Sequence, residues 1–222
     1  MYKHLIAAFF GLLPLAAQAQ SFPVPDGCEG VLTVQQRGCL LVNVWQCAAD
    51  PEGDKWIALI TENGPYSVQH VDREFQWLES FKVTGNENLI VPAPDPSSMT
   101  ELLENGIDTF EFVIQKEGRT ERNVGFDALT GLEIEIDGEP LFQTEFEGRT
   151  LAEDGTEIDG GIGNQFVSAK HRMFFFGVSP AGDDADQMVD LSPVEFVYPG
   201  EAGFFAATPK FECGVIESSF GG

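Results

Sequence analysis

Basic side chains are scarce in this chain. Twelve lysines and arginines and three histidines stand against 36 aspartates and glutamates, a formal charge of −24 over 222 residues. Nucleic acids and anionic membrane surfaces recruit Lys and Arg, so both are disfavoured as partners. Cysteine is confined to four positions with no Cys-x-x-Cys pair, which removes the usual zinc and redox spacings. The Gly-x-Ser-x-Gly elbow, the P-loop, the dinucleotide fingerprint and the haem-attachment sequence are all missing, so no organic cofactor is implied. Beyond residue 19 no apolar run approaches the roughly 20 residues that a membrane-spanning helix takes. The strands of an outer-membrane barrel would escape that test. Charges scattered through nearly every candidate strand, and an end at Phe220-Gly221-Gly222, speak against one.

The first 19 residues read as an address. Lys3 and His4 open the chain, Leu5 to Leu15 is apolar apart from Gly11 and Pro14, and Ala17-Gln18-Ala19 has the small-x-small form of a cleavage site. We expect residues 1–19 to be a cleaved secretory signal and residues 20–222 a single β-rich domain. Cleavage leaves 203 residues, with 36 acidic against 11 basic side chains because only Lys3 is lost. The first cysteine is Cys28, too far from the cut for a lipid anchor there. A secreted, periplasmic protein is expected, soluble and without a membrane span once the signal is removed.

Four cysteines in an exported chain predict two disulfides. Cys39 to Cys47 reads as one strand, so its ends lie roughly 26 Å apart at about 3.3 Å per residue. A disulfide needs Cα atoms about 5.5 Å apart, which excludes Cys39–Cys47. Val31 to Gln36 reads as the preceding strand, with Arg37-Gly38 as the turn. That hairpin sets Cys28 opposite Cys47, even if a three-residue turn shifts the register by one. Cys28–Cys47 is therefore favoured, leaving Cys39 for Cys213 and tying the last strand to the first hairpin. Cys28–Cys39 with Cys47–Cys213 is the alternative.

Two-residue alternation dominates the rest of the chain. Leu132, Ile134 and Ile136 share one face of a strand, before an Asp137-Gly138 turn. Phe110, Phe112 and Ile114 do the same before Glu117-Gly118. Trp56–Thr61, Ser67–Arg73, Phe75–Thr84, Phe142–Phe146 and Val194–Tyr198 are further candidate strands. One helix is expected, Met99 to Asn105, with Ser98 as its cap, Glu101 as the capping-box partner and Gly106 as its end. It comes after a stiff Pro92–Pro96 connection. Thr150–Asn164 and Ala181–Gln187 read as acidic, irregular loops. The pattern predicts an all-β fold: a mostly antiparallel meander, closed into a barrel, half-barrel or sandwich, with one short helix near 98–106 and two disulfides.

Phenylalanine is over-used, with 17 of 19 beyond the signal. Phe174-Phe175-Phe176 and Phe204-Phe205 place aromatics on both faces of their strands, as burial on two sides requires. The functional reading is an aromatic-lined cavity, with Trp45, Phe110, Phe112, Phe174 and Phe176 as its lining, for a small apolar or lipid-like ligand. An envelope protein is the other partner considered. Two readings compete with a non-catalytic binding module. A secreted hydrolase would draw on Ser168 or Ser179 with His171, although Ala169 to Met173 reads as a strand opening in surface charges and His70 merely alternates with Val68 and Asp72. A calcium-dependent surface module would use Asp154–Asp159 or Asp183–Asp186, neither of which matches an EF-hand loop.

Overall fold

The computed structural model describes residues 21–181 and 184–214, with the side chains of 184–186 outside the description. The signal reading falls on residues outside that range. The chain opens with β1 (Cys28–Gln36), β2 (Leu40–Cys47), β3 (Lys55–Thr61), β4 (Gly64–Val71), β5 (Trp77–Lys82) and β6 (Gly85–Asp95). After α1 (Met99–Asn105) come β7 (Ile107–Lys116), β8 (Arg119–Ile136), β9 (Glu139–Leu151), β10 (Glu157–Ser168) and β11 (Met173–Phe176). The last three strands are β12 (Val178–Ala181), β13 (Asp184–Asp190) and β14 (Pro193–Val197). Eleven run as an antiparallel meander and β14 returns to pair with β1, giving one 12-stranded, nearly closed barrel. β12 and β13 form a separate two-stranded ribbon.

The first hairpin carries both disulfides. Arg37-Gly38-Cys39 makes a three-residue turn with positive φ at Gly38 and Cys39, and Gln36 faces Leu40. A bulge between Gly30 and Leu32 then sets Cys28 opposite Cys47. Cys28–Cys47 and Cys39–Cys213 are the bonds formed. Cys213 lies on no strand. It ends a strap after β14 that crosses the outer face of β1 and β2, and Phe204-Phe205, expected on a strand, sit in the strap's turns. The strap explains why Thr33, Gln35 and Asn43 are fully buried polar residues. Thr33 Oγ1 accepts the Phe205 N–H, Gln35 Oε1 accepts the Lys210 N–H, and Asn43 Nδ2 donates to the Ala206 carbonyl. Gly30 leaves room for the Phe205 ring, which a Cβ there would meet at 2.5 Å.

The barrel's two edges, β11 and β14, share no ladder; they overlap. Gln165, Val167 and Phe174 occupy one face of β10 and β11. Phe166, Met173 and Phe175 occupy the other and pack with Val34, Val42, Val44 and Phe196. The rings of Phe175 and Phe196 meet edge to face at 5.3 Å. Phe175 is buried and Phe174 half-buried on opposite faces of β11, while Phe176 at the strand's end is exposed, so the expected burial on two sides holds for only part of the run. Polar contacts seal the same seam: Asp137 accepts the Phe196 N–H, and buried Glu139 accepts from Lys170 and from the Tyr198 hydroxyl.

Several segments differ from expectation. Thr150–Asn164 is no irregular loop, because Asp154-Gly155 turns tightly and the chain returns as β10 along β9. Ala181–Gln187 belongs largely to the β12–β13 ribbon, with 182–183 outside the description. Pro92 and Pro94 lie within β6, in a stretch where pairing jumps from Ile90↔Val113 to Asp95↔Glu111. Proline has no ladder N–H to lose there. His171 lies in the turn between β10 and β11, not on a strand.

Candidate functional site

Three cross-strand rungs build the site. On β7 through β10, Asp108 faces Asp127, which faces Phe146, which faces Gly163. Two residues along, Phe110, Gly125, Gly148 and Gly161 form the next rung; Phe112, Asn123, Thr150 and Asp159 form the third. All point to one side, since strand side chains alternate with period two. Three glycines in the middle rung leave a trough, with the Phe110 ring over Gly125 and Gly148 and the Phe146 ring over Gly161. A Cβ on Gly125 would lie 2.6 Å from Phe110 Cζ and 2.2 Å from the Glu147 carbonyl oxygen.

The result is a cavity of about 350 Å³. Phe110, Phe112 and Phe174 line it, together with Phe75, Trp77 and Phe146, which the sequence did not single out. Trp77 arrives through a bulge: His70 pairs with Glu79 but Val71 pairs with Trp77, so the strand gains a residue and the indole turns inward. Phe176 lines a smaller neighbouring space of about 130 Å³, whose walls share Phe75, Trp77 and Phe174 with the larger one. Trp45 does not join them. It stands out of phase with Val42 and Val44, on the opposite face of β2, where it stacks on Trp56 and packs with Phe22 and Phe205 beside an outer groove.

Asp108 and Asp127 are the polar centre of the cavity. Asp108 is only 4% exposed. Its Oδ2 accepts the N–H of Ser98, the N-cap of α1. Ser98 Oγ accepts the Glu101 N–H as expected, but the reciprocal half of the capping box comes from Asp108 instead of the Glu101 side chain. Asp108 Oδ1 is buried without a hydrogen-bond partner among the described residues, as is Asn123 Nδ2. Burial pushes the Asp108 carboxyl up to about 6, against the Ser98 hydrogen bond and with help from the charges of Glu101, Asp95 and Glu74. Burial and the charge of Asp108 push Asp127 to about 7. One signal for this pair was legible. Asp108 lies in phase with Phe110, Phe112 and Ile114, an acid on an apolar face.

The histidines serve other ends. The His171 ring faces the Tyr198 hydroxyl at 3.0 Å and Glu139 Oε2 at 3.7 Å, inside the seam. Ser168 Oγ accepts the main-chain N–H of His171, so this serine does not address the imidazole. His70 stacks on Trp56 at 4.3 Å on the outer face, between Asp54 and Glu79. In the Asp154–Asp159 segment, Asp154 accepts the Thr156 N–H in the turn before β10, and Asp159, on β10 itself, accepts the Gly160 N–H. Among the described residues no three His, Cys, Asp or Glu side chains converge as metal ligands.

No family model matches the chain, and no curated protein matches it significantly. Among solved structures it is similar to the hypothetical lipoprotein YmcC from Escherichia coli (K12), with 11% identity over 82% of this chain and 90% of that one and a TM-score of 0.38. A likeness at that level leaves function to be argued from this chain's own residues.

Proposed function

We propose that this chain is an exported, non-catalytic binding module whose barrel interior takes a small apolar ligand. One observation carries the reading: beside the glycine rung lies a cavity of about 350 Å³ whose lining includes six aromatic side chains, Phe110 and Phe146 among them. Protein interiors are otherwise close-packed, and a volume of this order suits a small ligand. Two disulfides support export to an oxidising compartment, and the strong negative charge supports solubility there.

Native mass spectrometry of the protein, purified gently from its export compartment, tests the proposal. A bound mass of a few hundred daltons, lost on denaturation and absent from a Gly148→Val variant that fills the trough, is the expected result. A bare protein that also leaves the fluorescence of added 1-anilinonaphthalene-8-sulfonate and N-phenyl-1-naphthylamine unchanged overturns it.

A further inference from the structure

We propose that the cavity selects ligands carrying a protonated amine, seated at Asp108 and Asp127 while the apolar body lies along the glycine rung. This rests on the binding-module reading and adds the class of head group.

The geometry argues for a cation. Asp108 Oδ1 is buried in the cavity wall with no donor to meet it among the described residues, a costly arrangement for a carboxylate. Asp127 stands directly opposite on the neighbouring strand, so any donor seated at one oxygen is within the field of both carboxylates. No basic side chain among the described residues answers them. Arg149 is the single cation among the lining residues, and it extends toward Glu147. The charges around Asp108 are Glu74, Asp95 and Glu101, and Arg172 is taken up by Glu74. Burial first, and the neighbouring negative charges after it, raise the proton affinities of both carboxyls, and a cation seated between them would offset both effects. An ammonium group supplies it, donates up to three hydrogen bonds, and gains from aromatic faces nearby. Two rungs away, roughly 13 Å along β8, Asn123 Nδ2 is a donor without an acceptor among the described residues. A ligand reaching that far meets it with an oxygen.

The test compares octylammonium with 1-octanol, matched in chain length, by isothermal titration at pH 8 in 150 mM salt and below micellar concentrations. Octylammonium is expected to bind at least tenfold more tightly. The preference should shrink severalfold by pH 5, where both carboxyls take up protons, and vanish in Asp127→Asn and in Asp108→Asn, which keep their affinity for octanol. Equal affinities for amine and alcohol overturn the head-group assignment and leave the binding module standing. Absence of binding by either compound overturns the binding reading as well. Amine binding undiminished in Gly148→Val assigns the attraction to the acidic surface and overturns the proposal.

Discussion

Asp108 and Asp127 face each other across neighbouring strands of the barrel, both directed into its cavity. Their carboxyls hold protons to about 6 and about 7, so the folded state prefers them neutral. A group with a raised folded-state value contributes most below its unfolded value, and that contribution is lost as pH rises through the folded value. The window here runs from about pH 4 to about pH 7.

Asp127→Asn should therefore stabilise the protein at pH 8, by on the order of 1 to 2 kcal/mol, and change little at pH 4. Urea unfolding of the two proteins at both pH values measures this. Equal stability at pH 8 would show that water reaches Asp127 freely.

Gly125 and Gly148 are adjacent on the same rung but differ in what lies over them. Gly125→Ala must push against the backbone carbonyl of Glu147 at 2.2 Å and is expected to cost about 2 to 4 kcal/mol. Gly148→Ala meets nothing closer than 3.9 Å. It should be neutral or stabilising by up to about 1 kcal/mol. Thermal unfolding of the pair checks the order, and a tolerated Gly125→Ala would contradict the packing of Phe110.

The Cys39–Cys213 bond closes a loop with a sequence separation of 174 and pins the strap over β1 and β2. Replacing both cysteines by serine should cost about 5 kcal/mol on the chain-entropy account, against about 3 kcal/mol for Cys28–Cys47 with its separation of 19. Amide exchange should then rise at Phe205 and Lys210, whose N–H groups are held by Thr33 and Gln35. Unchanged protection at both amides would mean that the strap needs no covalent tie.

Glu139 works in the opposite sense to the aspartate pair. Burial would raise its proton affinity, but hydrogen bonds from Lys170 and Tyr198, with the nearby charges of Lys170 and His171, more than offset this and hold it below the ordinary range. Its contribution is present above about pH 4.5 and lost as acid protonates it. Tyr198→Phe removes a donor from this buried acid and should cost about 1 to 2 kcal/mol at pH 7, less at pH 3. Exchange should accelerate on β11 and β14, where the edges overlap. A loss confined to the turn around His171 would show that the seam is held by its rings alone.

Alternation and turn residues determine most of the strands, the helix and the first hairpin, because each rests on contacts between near neighbours in sequence. The pairing of Cys28 with Cys47 comes from that local register. Asp108 could be seen on an apolar face for the same reason. What tertiary structure decided was set by contacts between distant segments. Trp45 and Phe110 both belong to alternating strands, yet the strap covers the face of β2 that Trp45 occupies while the barrel encloses the face of β7 that Phe110 occupies. A bulge turns Trp77 inward, since one extra residue reverses the phase that alternation predicts, and the register of β8 on β9 shifts between Leu129 and Glu133. Asp108 meets Asp127, and three glycines share one rung, because a register across four strands brings them together. That register is fixed by the packing of the whole barrel, and no single strand contains it.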